Sequence, residues 1–255
     1  MFVVYYLCSN FIFSRNGEIV MKFINVKTYD EMSRVAADIV IEQLKKKPDS
    51  VLGLATGSSP VGMYNLLVEA NKNGEIDFSG VTTINLDEYF GLSGDNDQSY
   101  RYFMNDKLFN HVNINKANTY VPSGNSSDPE EECKAYDALI EKFGIDLQVL
   151  GVGRNGHIGF NEPDDVFSKG THVTKLDEST IKANARFFEN ESDVPTMALT
   201  MGIESIMSAK KIILVANGDA KKPIIEKLRT CEVDPHIPVS ILKNHPDATI
   251  IFSES

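Results

Sequence analysis

The stretch "LGVGRNGHIGFNEP", residues 150–163, holds the residue types needed for proton transfer. His157 lies among glycines that let a ligand approach, and an imidazole exchanges protons near neutral pH. Asn155 and Glu162 are close enough in sequence to orient it or charge it. Gly151-x-Gly153-x-x-Gly156 also matches the dinucleotide fingerprint, but that fingerprint must open a helix. Gly159 and Pro163 break the next segment, so the spacing describes a turn presenting a histidine rather than an NAD site. A merely structural histidine would be expected on a packed face.

Three other clusters carry chemistry. In "LATGSSPVGMY", residues 54–64, Gly57 permits close backbone approach, Ser58 and Ser59 offer hydroxyls, and Pro60 suits a first helical position. Free N–H groups and a helix dipole would then converge on an anion. The alternative is an ordinary helix start with Ser59 as its N-cap. No Gly-Lys-Ser/Thr follows, so this is not a Walker loop. In "TINLDEYFG", residues 83–91, Asp87 and Glu88 stand at the mouth of an apolar run, where one carboxylate could serve as a base or simply cap a helix. Arg186 in "NARFF" and Lys221 after "KIILVANGDA" are the cationic candidates, either as solvated charges or as a clamp for an anion.

The elements that must position these groups alternate. Thr28-x-x-Glu31 is a capping box, followed by Met32, Val35, Ala36, Ile39, Val40 and Leu44 at helical spacing and stopped by Lys45-Lys46-Lys47 and Pro48. A second helix begins after Asp128-Pro129, carries Tyr136, Leu139, Ile140 and Phe143 on one face, and ends at Gly144. Apolar runs at 51–55, 81–86, 147–150, 212–216 and 249–252 have the length of buried strands. Strand alternating with helix predicts an α/β domain with a mostly parallel sheet covered on both faces, whose ligands bind at the carboxyl ends of its strands. The three motif clusters, and Lys221 after them, fall just after a predicted strand. Residues 164–192, weakly periodic and rich in charge, read as a mobile flap.

A chain of 255 residues buries an adequate core as one domain. Lys and Arg number 25 against 36 Asp and Glu, a net charge of -11 that argues against nucleic acid or an anionic membrane as partner. An anionic substrate would therefore need a local cationic clamp. Cys8, Cys133 and Cys231 form no metal or disulfide pattern and fit a reducing, cytoplasmic compartment. Residues 1–20 read as an extension to the domain formed by 21–255. They lack the basic region and cleavage site of a signal peptide, and their apolar run of about 13 residues is too short to span a bilayer. Translation is expected to start at Met21, because Gly17-Glu18 can be encoded by a purine-rich ribosome-binding sequence upstream.

Taken in order, "LGLATGSSP", "NLDEYFGL", "GVGRNGHIGFNEP", "NARFF" and Gly218-x-x-Lys221 resemble the glucosamine-6-phosphate deaminases, a family related to the 6-phosphogluconolactonases. The lactonases continue their similar glycine-histidine turn with a Ser-Leu-Phe-Pro type of sequence, where this chain has Phe160-Asn161-Glu162-Pro163. The resemblance runs from about Met21 to Phe252 and implies a Rossmann-like three-layer α/β/α sandwich. It implies isomerising deamination of glucosamine 6-phosphate to fructose 6-phosphate and ammonia, in amino-sugar catabolism, with neither metal nor redox cofactor; a lactonase or a sugar-phosphate isomerase is the alternative. Asp87 takes the place of the catalytic base, His157 that of the ring-opening group, Glu162 that of its supporting acid, and Asn155 a position where some members carry aspartate. Gly57, Ser58, Ser59, Arg186 and Lys221 fall on the phosphate site. The basic effector loop and longer tail of larger, hexameric members are not matched, so no activation by N-acetylglucosamine 6-phosphate is expected, and monomer and homo-oligomer stay equally open.

Overall fold

The computed structural model describes residues 11–15, 18–185, 188, 190 and 193–255. Strands β1 (Phe11–Arg15) and β2 (Glu18–Val26) pair antiparallel at one edge of the main sheet, so β1 and the start of β2 precede Met21. Helix α1 (Tyr29–Lys46) forms both halves of its capping box: Thr28 Oγ1 accepts the Glu31 N–H at 3.2 Å, and the Glu31 carboxylate accepts the Thr28 N–H at 3.3 Å. Asp30 and Glu31 lie in its first turn and Lys45 and Lys46 in its last, as its dipole favours. Met32, Ala36, Val40 and Leu44 are buried, with Val35 and Ile39 half-buried beside them.

There follow β3 (Val51–Leu54), α2 (Val61–Lys72), β4 (Thr82–Asn85), β5 (Asp87–Tyr89), α3 (Tyr100–Met104), β6 (Thr119–Tyr120), α4 (Pro129–Phe143) and β7 (Leu147–Leu150). The chain continues through β8 (His172–Lys175), α5 (Glu178–Asn184), β9 (Met197–Thr200), α6 (Ile203–Met207), β10 (Ile212–Asn217), α7 (Lys222–Thr230) and β11 (Ala248–Ser253). As expected, α4 is capped by Asp128, has Pro129 in its first turn, and ends at Gly144.

The main sheet runs β1-β2-β11-β10-β7-β3-β4-β6, and every pair after the first is parallel. All five apolar runs lie in it, and with its helices it forms the α/β/α sandwich. From β3 the chain proceeds to β4 and β6, then returns to the other side of β3 as β7 and moves on to β10 and β11. Oppositely directed connections from β3 and β7 open a crevice at their carboxyl ends. Their amino ends are tied together by Asp146, which accepts the Val51 N–H at 2.8 Å, Lys210 Nζ at 2.8 Å and Lys47 Nζ at 3.0 Å. Burial opposes ionisation of Asp146, but these donors hold its carboxyl below the usual range.

The weakly periodic segment read as a mobile flap contains a strand and a helix, β8 and α5. β8 joins β9 and β5 in a separate antiparallel sheet that the periodicity did not reveal. Asp137 of α4 anchors the approach to it, accepting the Thr171 N–H at 2.9 Å and the Thr171 hydroxyl at 2.6 Å. Leu176 is buried in a second apolar cluster with Tyr89, Phe160 and Ala198, against which Ile181 of α5 packs. Cys133 and Cys231 are free thiols, and Cys8 lies outside the described residues. No helix among the described residues is long and apolar enough to cross a membrane.

Candidate active site

The loop between β3 and α2 is braced from three directions. Tyr29 of α1 donates its hydroxyl to the Ser58 carbonyl at 2.9 Å and accepts the Gly62 N–H at 2.7 Å. Tyr64 of α2 donates to the Ala55 carbonyl at 2.6 Å. The Ser59 hydroxyl reaches Asn217 Oδ1 at the end of β10, at 2.8 Å. Ser59 is therefore not the N-cap: α2 starts at Val61, with Pro60 in the cap position and no side-chain cap. Tyr29 and Asn217 escaped the sequence reading because their partners are distant in the chain, and Tyr64 because its spacing from Ala55 gives no sign that the helix folds back onto that carbonyl. Asn217 alone left a signal, as a polar residue at the carboxyl end of a buried strand. Lys221 lies just ahead of α7 and donates its ammonium to the Val152 carbonyl at 2.6 Å, which joins the loop after β10 to the loop after β7. Arg186 lies outside the described residues.

The turn after β7 opens no helix, in keeping with the rejected dinucleotide reading. It closes on itself through the Gly153 N–H to the His157 carbonyl at 2.9 Å and the Gly156 N–H to the Gly153 carbonyl at 3.1 Å. The imidazole of His157 lies over Gly153, where a Cβ would come within 2.3 Å of Cε1 and 2.4 Å of Nδ1. Only glycine fits beneath the ring.

His157 Nδ1 faces both oxygens of Glu162, at 3.1 and 3.2 Å. Asn155 Nδ2 donates to Glu162 Oε2 at 2.5 Å, while Asn155 Oδ1 accepts the His157 N–H at 3.2 Å. Thr180 of α5, which the sequence reading did not single out, donates to Glu162 Oε1 at 2.7 Å. Burial opposes the Glu162 charge, yet the donors His157, Thr180 and Asn155 outweigh it and hold its carboxyl below the usual range. An ionised Glu162 fixes the proton on Nδ1 and leaves Nε2 as the basic nitrogen.

Asp87 opens β5 and is 7% exposed. Among the described residues none donates a hydrogen bond to its carboxylate. Burial, with the neighbouring Glu88 carboxylate adding to it, pushes Asp87 up to about 8. Glu88, pointing the other way along the strand, accepts the N–H groups of Tyr100 at 2.8 Å and Arg101 at 2.9 Å and so secures the start of α3. Burial raises it to about 7 against those hydrogen bonds. The paired carboxylates of the motif thus divide into one that braces a helix and one left unpartnered.

Gly159 connects Asp87 to the histidine turn. Its φ is +57°, and a Cβ there would lie 2.9 Å from Thr200 Oγ1 and 3.7 Å from Asp87 Oδ2. Thr200 is the partner of Asp87 in the small sheet, and its hydroxyl accepts the Phe160 N–H at 3.0 Å. Asn155, His157 and Glu162 are therefore in mutual contact, with Asp87 brought against the same turn. Among the described residues no group of three or more His, Cys, Asp or Glu is arranged to hold a metal ion.

Residues 27–251 match the family model described as glucosamine-6-phosphate isomerases/6-phosphogluconolactonase. A glucosamine-6-phosphate deaminase of Lachnoclostridium phytofermentans is 60% identical over 232 residues, which cover 91% of this chain and 98% of that one. A glucosamine-6-phosphate deaminase of Clostridium perfringens is 55% identical over 235 residues, covering 92% and 97%. The solved structure of a monomeric glucosamine-6-phosphate deaminase superposes with a TM-score of 0.89 at 44% identity, covering 91% of this chain and 96% of that one. The 6-phosphogluconolactonase from Thermotoga maritima shares the fold alone, with a TM-score of 0.71 at 18% identity and coverage of 92% and 100%. Similar in sequence and in backbone over nine-tenths of its length, the chain belongs to the glucosamine-6-phosphate deaminase family.

Proposed function

We propose that this chain converts glucosamine 6-phosphate and water to fructose 6-phosphate and ammonia, in a reducing cytoplasm and without activation by N-acetylglucosamine 6-phosphate. The observation that supports this most is that one turn serves both groups: it presents an imidazole whose Nδ1 faces an ionised Glu162, and its Gly159 comes against the desolvated carboxylate of Asp87, to which no described residue donates a hydrogen bond. The phosphate would rest on the loop of Gly57, Ser58 and Ser59, with Lys221 and Arg186 opposing its charge. His157 Nε2 would take the proton of the C1 hydroxyl and return it to the ring oxygen, opening the ring to the aldehyde. Asp87 would then remove the C2 proton while the substrate ammonium gives a proton to O1, and deliver the abstracted proton to C1 of the resulting enolamine. The resulting C2 iminium adds water and expels ammonia, leaving the ketone. A base near 8 is poised for this, since proton transfer is most effective when the catalytic group titrates close to the working pH. A substrate ammonium brought beside it would favour the ionised form.

Ammonia release from glucosamine 6-phosphate is the test, run beside 6-phosphogluconolactone hydrolysis. Ammonia and fructose 6-phosphate in equal amounts are expected. Lactone hydrolysis without ammonia would overturn the assignment.

Lys221→Ala is expected to raise KM by about 10- to 100-fold, the range for losing a charge-assisted hydrogen bond, with kcat within a few-fold. Initial-rate kinetics measures both, and an unaltered KM would remove Lys221 from the phosphate site.

A further inference from the structure

We propose that Thr180 is a positioning residue for ring opening: its hydroxyl locks the Glu162 carboxylate against His157 and makes the relay depend on the seating of α5. The inference rests on the reading of Glu162 given above.

The geometry at Glu162 is nearly symmetrical. Nδ1 of His157 stands 3.1 Å from one carboxylate oxygen and 3.2 Å from the other. Asn155 donates to Oε2 at 2.5 Å and Thr180 to Oε1 at 2.7 Å. These two donors stop the carboxylate from turning about its own axis, a terminal torsion that is otherwise broad. Asn155 comes from the same turn as His157, so it brakes one side locally. Thr180 brakes the other side from a different element, 18 residues along the chain.

The threonine is unusual within its helix. It is 4% exposed, whereas Glu178 and Lys182 on the same helix are exposed. A helical threonine commonly turns its hydroxyl back to the carbonyl of the preceding turn. Here the hydroxyl reaches across to a partly buried anion instead. Leu176 and Ile181 hold the segment by apolar contact with Tyr89 and Phe160, so Thr180 supplies its polar contact with the relay. In sequence the same segment runs on to Arg186, a candidate phosphate ligand.

The experiment compares Thr180→Val, Thr180→Ser, Glu162→Gln and the Thr180→Val/Glu162→Gln double variant by steady-state ammonia release, with thermal melts for each. Thr180→Val keeps shape and removes the hydroxyl. It is expected to lower kcat by about 10-fold, in line with the loss of a hydrogen bond to a charged group, while KM stays within about 3-fold. Thr180→Ser should restore kcat to within about 3-fold, and Thr180→Val should cost less than about 2-fold once Glu162 is already Gln, because residues acting as a unit are non-additive. Wild-type kcat in Thr180→Val beside a crippled Glu162→Gln would overturn the role of Thr180 alone. An undiminished loss in the double variant, or no rescue by serine, would make Thr180 merely structural and overturn it equally. If Glu162→Gln itself keeps wild-type activity, the reading of Glu162 fails first. Should Thr180→Val not fold, Thr180→Ala with serine rescue gives the same comparison.

Discussion

Asp87→Asn is expected to lower kcat by about 10³-fold or more, at the upper part of the range for a positioned proton-transfer group that acts at two carbons in turn. Affinity for a non-reactive substrate analogue should stay within a few-fold, since the amide keeps the shape of the side chain. The melting behaviour gives an independent check. Asp87 is raised from 3.8 to about 8 on folding, so between those values the folded chain holds a proton that the unfolded chain has lost. The stability this provides is complete below about pH 4 and is lost as the pH rises through about 8. The amide does not titrate, so Asp87→Asn should lack that fall and melt at or above the wild type at pH 8 to 9. Steady-state kinetics and thermal melts across pH 5 to 9 measure both. Unchanged turnover would remove Asp87 from the reaction, and a wild-type pH slope would contradict its desolvation.

Gly153→Ala is expected to lower kcat by about 10²-fold, near the lower limit for losing one general acid–base group, without unfolding the chain. The new methyl carbon would lie within 2.4 Å of three imidazole atoms of His157, so the ring must swing away and break its contact with Glu162. Gly153 does not have a positive φ, so alanine can keep its backbone conformation and the loss reports the displaced ring. Gly151 belongs to the same glycine pattern, also lacks a positive φ, and has nothing within 4 Å of a built Cβ. Gly151→Ala should therefore retain activity within a few-fold. Paired kinetics and melts of the two variants check this. Equal losses from both would mean that the glycines serve the turn rather than the imidazole.

What the sequence disclosed follows from the range of the forces involved. The capping box at Thr28 and the Asp128-Pro129 start of α4 are local, and both form. Buried parallel strands read as apolar runs for the same reason, since each is enclosed on both faces. β5 escaped notice because Asp87, Glu88 and Tyr89 are two carboxylates and one aromatic, held as a strand by β9 more than a hundred residues away. β8 is half-buried and has no apolar run to show. Ser59 read equally well as a cap because the rival acceptor, Asn217, is 158 residues off. In the site, the spacing of Asn155, His157 and Glu162 was enough to group them, since one turn holds all three. Thr180 was not legible, because a threonine in a charged segment acquires its partner only through the docking of α5.

Leu86 is the single residue between β4 and β5. Its N–H donates to the Leu54 carbonyl in the main sheet, and its carbonyl accepts the Met201 N–H beside the small one. One residue thus hands the chain from one sheet to the other and sets which way the next carboxylate looks. A strand inverts its faces with every residue, so one inserted or deleted amino acid here would turn Asp87 toward the scaffold and Glu88 or Leu86 toward the crevice. Drift in this lineage can therefore exchange Leu86 for another aliphatic of like volume, but it cannot change the length of the link without giving up the reaction.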